Sequence, residues 1–185
     1  MIVSRAGIVM GKREYNWKIC ILGDPGVGKT SLIEYYTHRS FKEFYLPTIG
    51  ANFSIKEVDL DANTSAKAYI WDIAGQSKFS QIRKMFYEKA VGAVFVFDVT
   101  NRKSFEGIDA WRNDLIETLG EGFPSALIAN KIDLVDQRTI TPEEGFEKAS
   151  DMSIAYYETS AKVGQGVDDA FQNLLLLLLD RFKKS

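Results

Sequence analysis

The feature of this sequence that most limits its fold is a glycine-rich segment, Gly23-Asp24-Pro25-Gly26-Val27-Gly28-Lys29-Thr30. It follows an apolar run at residues 18–22 that is typical of a buried β-strand, and a helical pattern over residues 29–39 overlaps its end. A strand that turns through such a loop into a helix starts a unit in which strands and helices alternate. The segment therefore favours an α/β fold built around a mainly parallel sheet.

The same segment predicts that the chain binds phosphate groups. Glycines let backbone N–H groups converge on phosphate oxygens, and the start of a helix adds unpaired donors and the positive end of its dipole. We expect the amine of Lys29 to reach the β- and γ-phosphates of a nucleotide and the hydroxyl of Thr30 to bind Mg²⁺. The predicted phosphate-binding residues are Asp24, Pro25, Gly26, Val27, Gly28, Lys29, Thr30, Ser31 and Gly75.

The rest of the sequence continues the alternation of strands and helices. Two apolar runs joined by a polar turn at residues 61–64 predict a hairpin, which would place one antiparallel strand at the sheet edge. Ser104 and Thr141 are the expected N-cap residues of two later helices. The predicted strands span residues 18–22, 53–60, 66–71, 91–99, 125–130 and 154–157, and the predicted helices include residues 29–39, 104–119 and 167–183.

These elements predict one α/β domain of the P-loop NTPase type. We expect a mostly parallel six-stranded sheet with one antiparallel edge strand and helices on both faces. The domain is expected to span residues 17–185, after an N-terminal extension at residues 1–16.

Two motifs later in the chain predict that the base is guanine. Asn130-Lys131-Ile132-Asp133 follows a buried strand, and the Asp133 carboxylate can accept hydrogen bonds from guanine N1–H and the 2-amino group. Adenine has neither donor, so it would leave the carboxylate unpaired. We expect Asn130 to tie neighbouring loops together and to touch the base edge, the Lys131 stem to lie over the ring, and a backbone N–H of Ser160-Ala161-Lys162 to reach guanine O6. Taken alone, the Asn-Lys-x-Asp pattern also suits an ordinary loop, and an ATP-using enzyme is the alternative for the whole set.

A third group of residues predicts sensing of the γ-phosphate. Asp72 ends an apolar strand and is expected to hold Mg²⁺ through water, while the Gly75 N–H bonds the γ-phosphate and Gln76 orients an attacking water. Thr48, in an earlier loop, is expected to complete the metal shell when GTP is present. Loss of the γ-phosphate would release both loops together, which describes a switch. The predicted catalytic residues are Gln76, Lys29 and Thr48, and the predicted metal ligands are Thr30, Thr48 and Asp72.

In this order the motifs resemble those of the Ras superfamily of small GTPases, over roughly residues 17–182. The segments 49–53, 67–72 and 95–100 are similar to those of the Rab family. The resemblance implies a small G-domain that binds GTP and GDP with Mg²⁺, in which Phe41 packs against the guanine and Tyr45 covers the phosphates. It also implies effectors, an exchange factor and a GTPase-activating protein as partners. Because no internal arginine finger is evident, we expect slow intrinsic hydrolysis.

One departure from the family pattern opens an alternative. Pro25 stands where Ras proteins carry glycine and Rab proteins often carry serine, and it removes one backbone donor and fixes φ. Bulk at this position would obstruct an arginine finger or the catalytic glutamine. The alternative function is therefore a GTP-dependent binding module with impaired hydrolysis.

Composition narrows the partners and the compartment. A net charge of −2 provides no overall positive field that would draw the chain to nucleic acid, and one cysteine, Cys20, excludes an internal disulfide. We expect a cytoplasmic protein, with peripheral membrane association left open. Residues 181–185 contain no cysteine, so no prenyl anchor is expected there. Six consecutive leucines at residues 174–179 would face all sides of a helix, so some must leave the core side. Burial against the sheet and the N-terminal residues is expected, and a homodimer contact or a partner-helix site is the alternative.

Overall fold

The computed structural model describes residues 12–41, 48–75 and 80–184. Its six-stranded sheet has the order β2-β3-β1-β4-β5-β6, in which only the β2–β3 pair is antiparallel. The strands are β1 Arg13–Leu22, β2 Ala51–Asp61, β3 Thr64–Ile73, β4 Gly92–Asp98, β5 Ser125–Asn130 and β6 Ala155–Thr159. The helices are α1 Lys29–His38, α2 Ser80–Tyr87, α3 Arg102–Glu106, α4 Ile108–Leu119, α5 Pro142–Asp151 and α6 Val167–Lys184. The predicted sheet, with its antiparallel edge strand, is confirmed.

Helices cover both faces of the sheet, as predicted. Side chains of β1 alternate between the two faces because successive residues of a strand point in opposite directions. Ile19 and Ile21 contribute to a core with α1 and α6, whereas Cys20 and Leu22 contribute to a second core with α2, α4 and α5. The second half of β1 and all of β4 are therefore buried on both sides, which explains their mainly apolar sequence.

The leucine run of α6 serves mainly the core. Leu174, Leu175, Leu178 and Leu179 are buried against the sheet, whereas Leu176 and Leu177 are 42% and 46% exposed. This 3.6-residue periodicity is typical of a helix with one face on a sheet. Among the described residues, no helix is both long enough and apolar enough to cross a membrane.

Strand β1 begins five residues earlier than its apolar run suggested. Arg13 already pairs with Thr64 of β3. The rings of Tyr15 and Trp17 stack at 5.1 Å, and Phe182 of α6 stacks on Trp17 at 5.8 Å. The predicted extension, residues 1–16, thus overlaps the sheet from residue 13, and residues 1–11 lie outside the described part of the chain.

One of the two predicted N-caps is confirmed and the other is wrong. Thr141 and Glu144 form a reciprocal capping box at the start of α5, with Pro142 as its first residue. The helix expected over residues 104–119 is divided into α3 and α4 at Gly107, and the N-cap of α3 is Asn101. The hydroxyl of Ser104 is buried and donates to the Asn101 carbonyl (2.7 Å), so it belongs to the first turn of α3.

Candidate functional site

Ten of the predicted site residues line one cavity of about 290 Å³, whereas Lys29, Asp72 and Thr48 are not among its lining residues. It lies beyond the carboxyl ends of β1, β5 and β6, which is where parallel sheets bind their ligands. It therefore brings together the glycine-rich segment, the Asn-Lys-x-Asp motif and the Ser-Ala-Lys motif. Its lining consists of Gly26, Gly28, Thr30, Ser31, Phe41, Asn130, Lys131, Asp133, Leu134, Ala161 and Lys162. Leu134 is the one lining residue that the sequence did not single out.

Two glycines allow the loop after β1 to pack against its neighbours. A Cβ at Gly23 would overlap the carbonyl oxygen of Val96, and one at Gly28 would overlap the side-chain nitrogen of Asn130. Both glycines also have positive φ, +146° and +100°. Because only glycine combines this backbone conformation with so little space, the segment can approach β4 and β5 closely.

Lys29 lies inside this loop. Its side chain is buried, and Nζ donates to the carbonyl oxygens of Gly23 (2.6 Å) and Asp24 (2.9 Å). Burial lowers the pKa of Lys29 to about 8, although the carboxylates of Asp72 and Asp24 act in the opposite direction. Phosphate oxygens as partners would stabilise the charged form of this buried ammonium, so Lys29 suits an anionic ligand.

The three predicted metal ligands lie together next to Lys29. The hydroxyls of Thr30 and Thr48 are 3.2 Å apart, and both contact Oδ2 of Asp72, with Thr48 Oγ1 donating at 3.0 Å. Burial raises the pKa of Asp72, while the hydrogen bond from Thr30 opposes this shift. The second carboxylate oxygen, Oδ1, is buried and has no hydrogen-bond partner among the described residues.

This arrangement fits Mg²⁺. An orphaned carboxylate oxygen beside two hydroxyls is a hard oxygen donor set of the kind that Mg²⁺ prefers. Within residues 12–41, 48–75 and 80–184, no group of three or more His, Cys, Asp or Glu gathers into a metal site. The ion would therefore need ligand phosphate oxygens and water to complete its shell, which is how Mg²⁺ commonly binds.

Asn130 joins the three loops of the cavity. Its Nδ2 donates to the Val27 carbonyl (2.9 Å), and its Oδ1 accepts from Thr159 Oγ1 (3.1 Å) and from Ala161 N–H (3.2 Å). The tie expected of this residue is thus present, whereas its contact with a base edge stays a prediction. Reading a base oxygen would require the Ala161 N–H to leave or share its bond to Asn130.

The acidic residue expected to read the base is held in place by the neighbouring motif. Ser160 is buried, and its hydroxyl donates to Asp133 Oδ1 at 2.5 Å. Lys131 has a positive φ of 70°, and its ammonium pairs with Asp98 Oδ2 at 2.6 Å. The Asn-Lys-x-Asp and Ser-Ala-Lys motifs therefore form one hydrogen-bonded unit around the base side of the cavity.

The loop that follows β3 contacts the glycine-rich segment at residues 23–30, here called the phosphate loop, through Gly75. A Cβ at this position would lie 2.5 Å from Pro25 N and 2.6 Å from Gly23 O. Only a residue without a side chain fits there. The hydrogen bond expected from the Gly75 N–H to a γ-phosphate stays a prediction. Gln76 and Tyr45, the predicted catalytic glutamine and lid, lie outside the described residues.

Two residues near the phosphate loop were not assigned a role from the sequence. Trp111 of α4 donates its indole N–H to Asp24 Oδ1 at 2.9 Å. The guanidinium of Arg83 in α2 lies 4.2 Å from the centre of a Trp111 ring. No local sequence signal could identify the hydrogen bond between Trp111 and Asp24, because the two residues are 87 positions apart.

Comparison with known proteins adds independent evidence. The chain matches the Ras family over residues 18–180. It is 36% identical over 178 residues to Ras-related protein Rab-10 of Caenorhabditis elegans. This alignment covers 95% of this chain and 88% of that protein. It is 39% identical over 173 residues to Ras-related protein Rab-1 of Theileria annulata, covering 93% and 78% respectively. Ras-related protein Rab-13 of Canis lupus familiaris is 37% identical over 161 residues, covering 87% and 79%. The similarity extends over every motif of the cavity.

Proposed function

This chain belongs to the Ras family of small GTPases and is Rab-like, and we propose that it is a switch that binds GTP and GDP with Mg²⁺. The observation that carries the proposal is that the glycine-rich segment, through Gly26 and Gly28, lines one cavity with Asp133. Asn130 joins this segment, at Val27, to Ala161 of the Ser-Ala-Lys motif. A nucleotide bound there would have its phosphates at the glycine-rich segment and its base at Asp133.

Guanine is the proposed base because of the hydrogen-bonding capacity of Asp133. Its carboxylate accepts from the N1–H and 2-amino groups, while the Ser160 hydroxyl, 2.5 Å away, holds it in orientation. Phe41 lines the same cavity and would contact the ring. A site of this kind rejects a base without the matching donors by on the order of 10⁴–10⁵ at best.

Mg²⁺ would be held by Thr30, Thr48 and Asp72, and it would neutralise part of the charge on the phosphates. Thr48 is already within hydrogen-bond distance of Asp72. Because Thr48 and Gly75 come from different loops, a γ-phosphate that engages both would order both. Its loss would release them together, which is the proposed basis of the switch.

GTP hydrolysis is the proposed reaction. Water attacks the γ-phosphorus as the bond to the β–γ bridging oxygen breaks, yielding GDP and inorganic phosphate. Gln76 is proposed to orient the water and Lys29 to stabilise charge on the phosphates. Intrinsic turnover is expected to be slow, since an arginine finger contributes on the order of 10³–10⁵ in related enzymes.

A second candidate function, a GTP-dependent binding module that scarcely hydrolyses, is favoured by the position of Pro25. A Cβ at Gly75 would lie 2.5 Å from the backbone nitrogen of Pro25, so Pro25 lies next to the loop that leads to Gln76. Proline also supplies no N–H to the phosphates.

Single-turnover hydrolysis of bound GTP separates the two candidates. We expect Gln76→Leu to slow hydrolysis, and a rate unchanged by this substitution would refute the proposed mechanism. If Pro25→Gly or Pro25→Ser accelerates hydrolysis strongly, the second candidate is correct for the natural chain. Competition between GTP and ATP tests the base, and equal affinities would overturn the assignment to guanine.

The surface beside the loops that contain Thr48 and Gly75 suits a protein partner that reads the nucleotide state. Phe53 is 51% exposed and stacks on Trp71, which in turn packs against Phe86. Ile49, just before β2, and Met85 of α2, next to Phe86 in the sequence, are 80% and 69% exposed. Exposed apolar patches of this kind mark interaction sites, and we propose an effector here.

By analogy with its family, we further propose an exchange factor and a GTPase-activating protein as partners, a role in membrane trafficking or signalling, and a cytoplasmic location with peripheral membrane association. A homodimer through α6 would have to use the exposed Leu176 and Leu177. Sedimentation at micromolar concentration tests the dimer, and a single monomeric species would exclude it.

A further inference from the structure

The last turn of α1 packs against the loop formed by residues 160–166, here called the base loop. A Cβ at Gly164 would overlap both the hydroxyl oxygen and the ring of Tyr35. The Tyr35 ring therefore fills the space directly over the backbone of the base loop. One turn later, Arg39 forms an ion pair with Asp168 in the first turn of α6 (NH1–Oδ2, 2.5 Å). Two residues of α1 thus hold the base loop and the segment that follows it.

Hydrogen bonds connect Gly164 to Ser160, which contacts the residue proposed to read the base. Gly164 N–H donates to the Ser160 carbonyl (2.8 Å), Val163 N–H donates to the Ser160 hydroxyl (3.3 Å), and Ser160 N–H donates to the Gln165 carbonyl (3.0 Å). The base loop is therefore a turn closed by three internal hydrogen bonds. Its first residue, Ser160, orients the Asp133 carboxylate.

The same turn of α1 also sets the path of the chain toward Phe41. Arg39 terminates α1 in the left-handed conformation (φ 56°), and its N–H donates to the Tyr35 carbonyl at 2.8 Å. Its guanidinium lies 5.6 Å from the centre of the Tyr35 ring. Phe41, two residues further on, lines the nucleotide cavity. The contacts of Arg39 therefore determine where Phe41 begins its approach to the base.

We propose that Tyr35 and Arg39 are positioning residues for nucleotide retention, which clamp the end of α1 to the base loop. The clamp keeps Phe41 and Asp133 in place around the same base without touching the base itself. Loosening it should speed nucleotide release and leave the hydrolysis step unchanged, because the clamp lies on the base side of the cavity. This inference rests on the proposed guanine-nucleotide binding.

The first test measures release of a fluorescent N-methylanthraniloyl GDP after addition of excess unlabelled GDP. We expect Tyr35→Ala to raise the release rate on the order of tenfold. Arg39→Ala should raise it about two- to fivefold, since its ion pair is exposed and such pairs contribute little. Exchanging the charges with Arg39→Asp and Asp168→Arg together should restore the rate toward that of the wild type. Single-turnover hydrolysis by the same variants should stay within about twofold of the wild-type rate.

A pair of glycines provides a matched control for the contact with Tyr35. Gly164 and Gly122 both have φ +79°, but a Cβ at Gly122 would meet nothing within 4 Å. Gly122→Ala therefore measures the effect of left-handed strain alone, whereas Gly164→Ala adds the collision with Tyr35. We expect Gly164→Ala to speed release more than Gly122→Ala does. In a Tyr35→Ala background, Gly164→Ala should add no more to the release rate than Gly122→Ala adds to the wild type, as a contact between the two residues requires.

The outcomes distinguish this inference from the function on which it rests. If the wild type does not bind the labelled GDP, the proposed function fails and this inference fails with it. If the wild type binds but Tyr35→Ala and Arg39→Ala release GDP at the wild-type rate, the clamp alone is refuted. A parallel fall in hydrolysis would also refute it. Should Tyr35→Ala unfold, as judged by circular dichroism, the surface substitution Arg39→Ala and the charge exchange still decide.

Discussion

Replacing Asn130 by alanine is expected to separate the phosphate loop from the base loop. The Asn130 side chain is buried and makes three hydrogen bonds, to Val27 O, Thr159 Oγ1 and Ala161 N–H. Its removal leaves these three groups without partners in a buried site, and each such group costs about 1–3 kcal/mol. Because relaxation and water entry relieve part of this cost, we expect a total loss of about 3–5 kcal/mol.

This loss should appear both in the free energy of unfolding and in nucleotide affinity. The loops that Asn130 joins are the ones proposed to hold the phosphates and the base, so part of the lost energy is the cost of bringing them together. A share of about 3 kcal/mol would weaken GDP binding by roughly a hundredfold.

The isosteric Asn130→Asp substitution sharpens the prediction. It keeps the acceptor for Thr159 and Ala161 but places a carboxylate oxygen against the Val27 carbonyl, 2.9 Å from the present nitrogen. Burial and this repulsion should raise the pKa of the introduced carboxyl above its unfolded value. The destabilisation is then greatest above that raised pKa and diminishes as the pH falls, since the protonated carboxyl can donate to Val27.

The assays are urea unfolding followed by circular dichroism and titration with fluorescent GDP, each at pH 5.5 and 7.5. Asn113→Ala, at an exposed position of α4, is the control and should behave like the wild type. If Asn130→Ala matched Asn113→Ala in both assays, the role inferred for Asn130 would be refuted. An Asn130→Asp deficit independent of pH would contradict the argument about its carboxyl.

Three further predictions follow from buried groups. Cys20, the sole cysteine, is buried, and desolvation raises its pKa to about 12. A thiol reagent at pH 8 should therefore label the native protein only as fast as it unfolds, and rapid labelling of the native state would contradict this burial. Trp111→Phe keeps an aromatic ring but removes the donor to Asp24, so urea unfolding should show a loss of about 1–2 kcal/mol, and an unchanged midpoint would refute the contribution of this bond. Lys29 has a pKa of about 8 without ligand because it is buried, and bound phosphates should raise this pKa. Above pH 8, GDP binding is then accompanied by proton uptake at Lys29. Calorimetry should find a GDP affinity that is steady below pH 8 and falls by up to about tenfold per pH unit above it, whereas an affinity independent of pH would exclude this linkage.

Local chemistry in the sequence was sufficient to predict much of the fold. The positions of Gly23 and Gly28 identified the phosphate loop because only glycine allows its backbone conformation and close packing. Thr141 was predictable as a cap because it directly precedes a proline at the first helical position and acidic residues in the first turn. The convergence of the later motifs on one cavity was predictable as well, since parallel strands present their carboxyl ends at the same edge of a sheet.

Tertiary structure alone decided the contacts between distant positions. Trp111 reaches Asp24 across 87 positions, and Arg39 reaches Asp168 across 129. Neither pair leaves a periodic or compositional trace, because such contacts depend on how α4 and α6 pack on the sheet. The polar start of β1 is likewise held by its ladder with β3 and by the stacking of Tyr15 on Trp17. A sequence reports what each residue favours within its own turn or strand, whereas packing determines which remote surfaces meet.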